Sequence, residues 1–287
     1  VGEPQRFRDR RGKRGKLINY TEDFELRRPD EIIRGTLPRT GVGFLAGQSG
    51  ALKTFTAIEL AFCIATGQPF AGRKVEQSGG VLFFAFEGAG TLPARIKARR
   101  SRLDDPAEEL PLLVVENFGP IFTPKDYMDF REEVEHVRLE LIGLGVPLSA
   151  VIIDTVIAAG MIAEDRENDP AAWQRIFDGL QPISKEMKAP IILVHHYGKD
   201  QSSGLRGSSN ARAGADFVLA MTCQRDELTG DTSGHKLALT KSRDAPEGPI
   251  ADVHPIEVQV GTYPDGAPWT SLVLSFERPG RDEGLPS

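Results

Sequence analysis

Long apolar runs are missing from this chain of 287 residues. None approaches the ~18 residues that a membrane-spanning helix needs, which excludes that class of membrane protein. The opening stretch, VGEPQRFRDRRGKRGK, lacks the apolar segment of a secretory signal. It starts on valine, as expected of a piece excised from a longer protein. Cysteine is scarce. Cys63 and Cys223 are the only two and show no metal-ligand spacing, so two thiols in a reducing, cytoplasmic compartment are expected. Internal repeats are absent, as is any composition break strong enough to cut out a second domain. An excess of basic residues is also absent. The net charge of −6 does not announce a nucleic-acid binder.

What is present is an ordinary globular composition, with 40% hydrophobic and 26% charged residues. The length suffices for one large domain or two small ones with a proper core. Charge is unevenly spread. Residues 1–16 hold five Arg and two Lys against Glu3 and Asp9, a local balance of +5. Such an arm can touch phosphates, but a solvated tail is the plainer reading. The expected division is a basic arm over 1–23, one α/β domain over 24–278, and a charged Gly/Pro-rich tail over 279–287.

Strand-like and helix-like periodicities alternate through the first two thirds of the chain. GVGFLA (41–46), VLFFAF (81–86), LLVVE (112–116), AVIIDT (150–155) and PIILVHH (190–196) read as strands, several of them apolar on both faces. KTFTAIELAFCIAT (53–66), TLPARIKARRSRL (91–103), a segment near 126–144 and a segment from Asp169-Pro170 to Met187 read as helices. Pro93 suits a first turn and Asp169 an N-cap. Strand-like segments at 216–221, 235–241, 256–260 and 271–276 then follow without long helices between them. The pattern predicts a mostly parallel sheet with helices on both faces, extended at one edge by antiparallel strands.

Between the first strand and the first helix lies GQSGALKT. A phosphate-binding loop reads G-x-x-x-x-G-K-[ST], and here Gly47, Lys53 and Thr54 take their places while Leu52 stands where the second glycine belongs. The strand–loop–helix context is what such a loop needs, because backbone N–H groups and a helix N-terminus cradle the phosphates. The candidate nucleotide contacts are Gly47, Gln48, Ser49, Gly50, Ala51, Leu52, Lys53, Thr54 and Phe55. If residue 52 has helical backbone angles, glycine's freedom is not required there and only side-chain bulk is at issue. Asp154, after four apolar residues, can hold an Mg²⁺-bound water beside Thr54. Glu87, just past VLFFAF, can polarise an attacking water or simply face solvent. His195 and His196 end a strand, so only one of them faces the nucleotide and either can be structural.

These pieces, in this order, resemble the RecA-like ATPases of the RepA type, the hexameric replicative helicases of plasmids and phages and their relatives. The resemblance runs from about Arg34 to Pro249. It rests on GFLAGQSGALKTF, ATGQPFAGR, VLFFAFEG, VIIDT with DREND downstream, VHHYGKD, LRGSSNARAGADFVL and LTKSRDAPEGP. It implies a RecA-like P-loop core that takes ATP and Mg²⁺, with Lys53 and Thr54 as phosphate and metal contacts and Asp154 as the strand-end aspartate. It further implies Glu87 as catalytic glutamate and His196 as a polar sensor of the γ-phosphate. Residues 204–212, among them Arg206, Ser208, Ser209 and Arg212, match the stretch that faces single-stranded DNA in the pore of a hexameric homo-oligomeric ring. Lys241 and Arg243 match a Lys-x-Arg finger pair that reaches the neighbouring subunit's site. Leu52 departs from the pattern and puts the strength of ATP binding in question.

Three functions compete on this basis. The first is an ATP-driven motor on single-stranded DNA, a replicative helicase of a mobile element that works with a primase or loader. The second is a non-motor RecA-like scaffold or loader, for which Leu52 speaks. The third is a small-molecule kinase, against which stands the lack of an acceptor pocket or lid segment.

Overall fold

The computed structural model of the chain describes residues 28–106, 109–196 and 209–279 and the backbone of a short pair, β1 (Arg11–Gly12) with β2 (Gly15–Lys16). For Ser209 and Asn210 only the backbone is described. The expectations for the rest of the basic arm and for the tail beyond 279 lie outside these residues. A second small pair, β3 (Glu31–Ile33) with β4 (Leu37–Pro38), enters the domain.

The body is one nine-stranded sheet. Its strands are β5 (Val42–Gly47), β6 (Gly80–Ala85), β7 (Leu112–Glu116), β8 (Leu148–Asp154), β9 (Ile191–His196), β10 (Phe217–Arg225), β11 (Thr232–Ser242), β12 (Gly248–Thr262) and β13 (Pro268–Glu277). They lie in the order β13-β12-β11-β10-β5-β9-β8-β6-β7. Every pair from β10 to β7 is parallel, and β11, β12 and β13 add on antiparallel at the β10 edge. The expected mostly parallel sheet with an antiparallel extension is what the chain forms. Strands β5, β6 and β8 are buried at every residue, as continuous apolar runs covered on both faces must be.

Alternate residues of each central strand feed different cores. Leu45 packs with α1 (Lys53–Thr66) and with Leu92 of α2 (Leu92–Arg100), while Phe44 and Ala46 pack with α3 (Pro124–Gly143) and α4 (Pro170–Met187). Helix α3 buries Tyr127, Phe130, Val134, Val137 and Leu141, a three-and-four spacing that makes one apolar stripe. It starts two residues earlier than the apolar spacing indicates, because Thr123 and Asp126 form a capping box. Asp169 caps α4 by accepting the Ala171 N–H at 2.9 Å. Helix α2 stops at Arg100, short of the expected 103, and a six-residue helix α5 (Ser209–Gly214) precedes β10.

Register fixes where the loops emerge. Gly47 pairs with His196 and with Met221, while Asp154 pairs with Ala85 and Val194. The carboxyl ends of β5, β6, β8 and β9 therefore meet at one edge of the sheet, where ligands bind in open α/β folds.

Candidate nucleotide site

The loop after β5 closes on itself and on the strands beside it. Lys53 donates from Nζ to the Gln48 carbonyl at 2.8 Å. Gln48 turns its amide away from the cleft, donating from Nε2 to the Cys223 carbonyl at 2.7 Å and to Cys223 Sγ at 3.2 Å. His235 Nε2 lies 3.3 Å from the Gly50 carbonyl. A side chain on Gly47 would strike the Met221 carbonyl at 2.4 Å, so this first glycine is required by the close approach of β10.

Leu52 overturns one expectation. Its backbone is left-handed, with φ 62° and ψ 28°, immediately before the helix begins at Lys53. The position therefore uses the freedom that glycine offers, and Leu52 holds it at a cost of about 1–2 kcal/mol. Partial packing of Leu52 against the core on the α1 face offsets some of that cost.

In front of the loop is a cleft of about 240 Å³. It is lined by Gly50, Leu52, Lys53, Thr54 and Phe55 from the loop and helix start, by Glu87 and Gly88 after β6, and by Arg95, Thr155, Val194 and His196. Gly47, Gln48, Ser49 and Ala51 build the loop behind this surface. Burial pulls Lys53 down to about 8, against the opposing pull of Asp154 and Glu87. Asp154 is 1% exposed, and among the described residues neither of its carboxylate oxygens has a hydrogen-bond partner. Desolvation pushes it up to about 6, tempered by the nearby Thr54 hydroxyl and the cations Arg95 and Lys53. A buried carboxylate with two idle oxygens beside a threonine hydroxyl fits a hydrated Mg²⁺, a hard cation that takes oxygen ligands.

Glu87 is anchored to the same strand end. Its N–H donates to the Asp154 carbonyl at 3.1 Å, and Thr155 Oγ1 donates to Glu87 Oε2 at 3.3 Å. The two histidines separate as alternation requires. His196 faces the cleft, with its pKa lowered by burial and by Lys53. His195 is buried behind, edge-on to Trp173 at 5.2 Å, with Nε2 3.8 Å from Glu167 of the DREND segment. Nothing in the sequence reading singles out Arg95, which lines the cleft. It lies over the Phe55 ring at 4.8 Å. The signal available is a basic helix that starts just after Glu87.

Lys241 and Arg243 are not at this cleft. Register places Lys241 opposite Val218, which pairs with Phe44, and Ser242 opposite Phe217. Arg243 pairs with Asp216 at 3.0 Å, and Asp216 Oδ2 accepts the N–H of Val42, at the start of β5. At a rise of roughly 3.3 Å per residue the two ends of β5 are ~16 Å apart. Nor are both cations loose surface charges: the Lys241 ammonium donates to the carbonyls of Arg212 and Ala213, the latter at 2.7 Å, and so caps α5. Arg212 itself donates to the Thr240 carbonyl and lies 3.4 Å from Glu247. Arg206 and Ser208 lie outside the described residues, as does the side chain of Ser209.

A phosphate-binding loop on a mostly parallel sheet, a strand-end aspartate and a glutamate one strand over define a RecA-like P-loop nucleotide-binding fold. The family model described as "AAA domain" matches residues 10–202, and the chain belongs to this family. Among solved structures it is similar to one described as an ATPase domain, at 15% identity and a TM-score of 0.51, over 74% of this chain and 80% of that one. It also matches the KaiC-like protein PH0186 from the hyperthermophilic archaeon Pyrococcus horikoshii OT3, at 16% identity and a TM-score of 0.48, over 86% and 94%. The likeness to the first is one of fold. No curated protein matches the chain. No helix of the described residues is long and apolar enough to cross a membrane.

Proposed function

We propose that the chain is an ATP-hydrolysing motor on single-stranded DNA, a replicative helicase of a plasmid, phage or other mobile element, working as a homo-oligomeric ring, in the expected case a hexamer, with a primase or loader. The observation that carries ATP hydrolysis is the convergence of Lys53, Thr54, Asp154, Glu87 and His196 on one cleft at the sheet's carboxyl edge. Lys53 leaves the Gln48 carbonyl for the β- and γ-phosphates, whose charge offsets the burial that disfavours its ammonium. Thr54 and Asp154 would hold Mg²⁺, which would supply charge neutralisation at the phosphates. Glu87, oriented by the Thr155 hydroxyl, takes the proton of the attacking water as its oxygen bonds to the γ-phosphorus and the bond to the β-phosphate oxygen breaks. His196 contacts the γ-phosphate and reports its loss to the segment that follows β9.

Within one chain that charge is only partly neutralised. Lys241 and Arg243, at the far end of the strands, lie away from the nucleotide cleft of their own chain. They complete the site of an adjacent copy, which couples hydrolysis to the arrangement of the ring. The DNA side is assigned to Arg206, Ser208, Ser209 and Arg212. A ring concentrates such groups in its pore, so the net charge of −6 is no obstacle.

The left-handed Leu52 supports a second reading, a RecA-like ATP-binding scaffold or loader that turns over slowly or not at all. ATPase rates with and without single-stranded DNA decide between them. Turnover that rises on adding DNA supports the motor, binding without turnover supports the scaffold, and no binding to ATP removes both.

A further inference from the structure

The carboxylate under Arg243 is built unlike an ordinary surface ion-pair partner. The Asp216 side chain is 13% exposed, whereas that of Arg243 is 58% exposed. Asp216 is fixed without its cation, because Oδ2 accepts the Val42 N–H at 2.9 Å and lies 3.4 Å from Gln181 Nε2. A Cβ on Gly41 would come within 2.8 Å of that same oxygen, so the carboxylate is packed against the chain. The ion pair is single-edged, with Arg243 Nη1 on Asp216 Oδ1 at 3.0 Å. A guanidinium has five N–H donors in a fixed fork, and among the described residues Asp216 is the one ion-pair partner of Arg243. Beside it opens a groove of about 500 Å³ between α4 and Gly214, with Arg243 on its rim. Two long cations two residues apart repel each other, and the Asp216 charge acts on both Lys241 and Arg243.

We propose that Asp216 is the positioning residue of the finger: it holds one edge of the Arg243 guanidinium and points the free edge at a nucleotide phosphate bound by a second copy of this chain. This rests on the assignment of Arg243 as a finger acting between copies. Exposed ion pairs contribute little to stability. What Asp216 supplies is orientation, since a cation ordered before it meets the phosphate loses less freedom on engaging it.

The test is Asp216→Asn, which keeps an acceptor for the Val42 N–H and removes the charge. With Mg²⁺-ATP and single-stranded DNA, ATP affinity should stay within about twofold while kcat falls about tenfold, the size expected for a misdirected catalytic group. The double variant Asp216→Asn/Arg243→Ala should be no slower than Arg243→Ala alone, because Asp216 acts through that arginine. An equal loss from Asp216→Asn in both backgrounds marks a merely structural role and overturns the inference. So does unchanged or faster turnover of Asp216→Asn when Arg243→Ala is slow. If Arg243→Ala is itself as fast as the parent chain, the finger assignment fails and takes the inference with it. Should Asp216→Asn not fold, Asp216→Glu keeps the charge, displaces it by one methylene, and is expected to lower kcat in the same Arg243-dependent way.

Discussion

The two ends of the parallel strands carry opposite kinds of incompleteness. At the carboxyl end, Lys53, Thr54, Asp154, Glu87 and His196 gather round a cleft, and what is missing is a ligand: Asp154 has two idle oxygens and Lys53 rests on a backbone carbonyl. At the amino end, Lys241, Arg243 and Asp216 gather away from the phosphate-binding loop, Arg243 beside a groove of about 500 Å³, and on the reading proposed above what is missing is a partner. A buried carboxylate and a buried ammonium make sense only if phosphate and metal arrive. An exposed arginine on a fixed carboxylate makes sense if another molecule's phosphate arrives. On the reading proposed above, one end is a whole binding site and the other is part of a site completed by a second copy.

The sharpest way to break this comparison is at the carboxyl end. Lys53→Ala should abolish hydrolysis, a loss of at least ~10³-fold, with circular dichroism and the melting profile intact. Undiminished turnover in the folded variant would dissolve the site.

At the amino end, Arg243→Ala should bind ATP almost normally, read by fluorescent-nucleotide titration, yet hydrolyse it ~10³-fold more slowly, at the lower end of what a finger supplied between molecules contributes. Mixing it with Lys53→Ala subunits should restore some turnover, because certain interfaces then pair an intact site with an intact finger. Co-assembled mixtures that stay inactive would return Arg243 to its own chain. Lys241→Ala carries an added cost in stability, since its ammonium caps α5.

Asp154 gives a prediction of opposite sign for activity and stability. Its folded pKa is raised from 3.8 to about 6, so folding favours the protonated form. That contribution is full below pH 3.8 and is lost as pH rises through about 6. Asp154→Asn imitates the protonated side chain. It should remove hydrolysis yet raise the stability of the ligand-free chain at pH 7 by up to ~3 kcal/mol, or about 2–6 °C in Tm. The gain should fade towards pH 4. A Tm that falls at pH 7 would mean that Asp154 is held ionised by partners in its own chain.

Much of this was legible in the sequence, for physical reasons. Strands buried on both faces write continuous apolar runs, and helices between them write three-and-four spacing, so the alternation that fixes a parallel sheet is local information. The antiparallel strands were legible as strands but longer than they read; β12 runs from 248 to 262 where the pattern suggested 256–260, because its inner part, with Ile250, Ala251 and Val253 buried, is broken in sequence by Pro249 and Pro255. Lys53, Asp154 and Glu87 were legible because a strand end is a landmark. Arg95 was not, since an arginine among the five basic residues of TLPARIKARRSRL carries no mark of which way it points. The tie between Arg243 and Asp216 joins positions 27 residues apart through strand pairing, which no spacing rule encodes.

The smallest expected effect sits on the residue that broke the loop pattern. Leu52 confronts the cleft with two separable burdens, a left-handed backbone and a side chain that lines the phosphate space. Leu52→Gly removes both. Relief of about 1 kcal/mol of backbone cost is set against the greater freedom of an unfolded glycine, ~0.5–1 kcal/mol, and against lost packing, so Tm should barely move. ATP affinity should be equal or tighter, because bulk beside the phosphates is gone. Leu52→Ala separates the burdens: it clears the bulk but keeps a Cβ at φ 62°, so it should match glycine in affinity and melt lower than the parent chain. If glycine tightens ATP and alanine does not, the backbone limits binding, and the loop must flex to close on the phosphates. If both weaken ATP severalfold, Leu52 is a packing residue that holds the loop in shape, and the cleft at the carboxyl end depends on the side chain that its motif lacks.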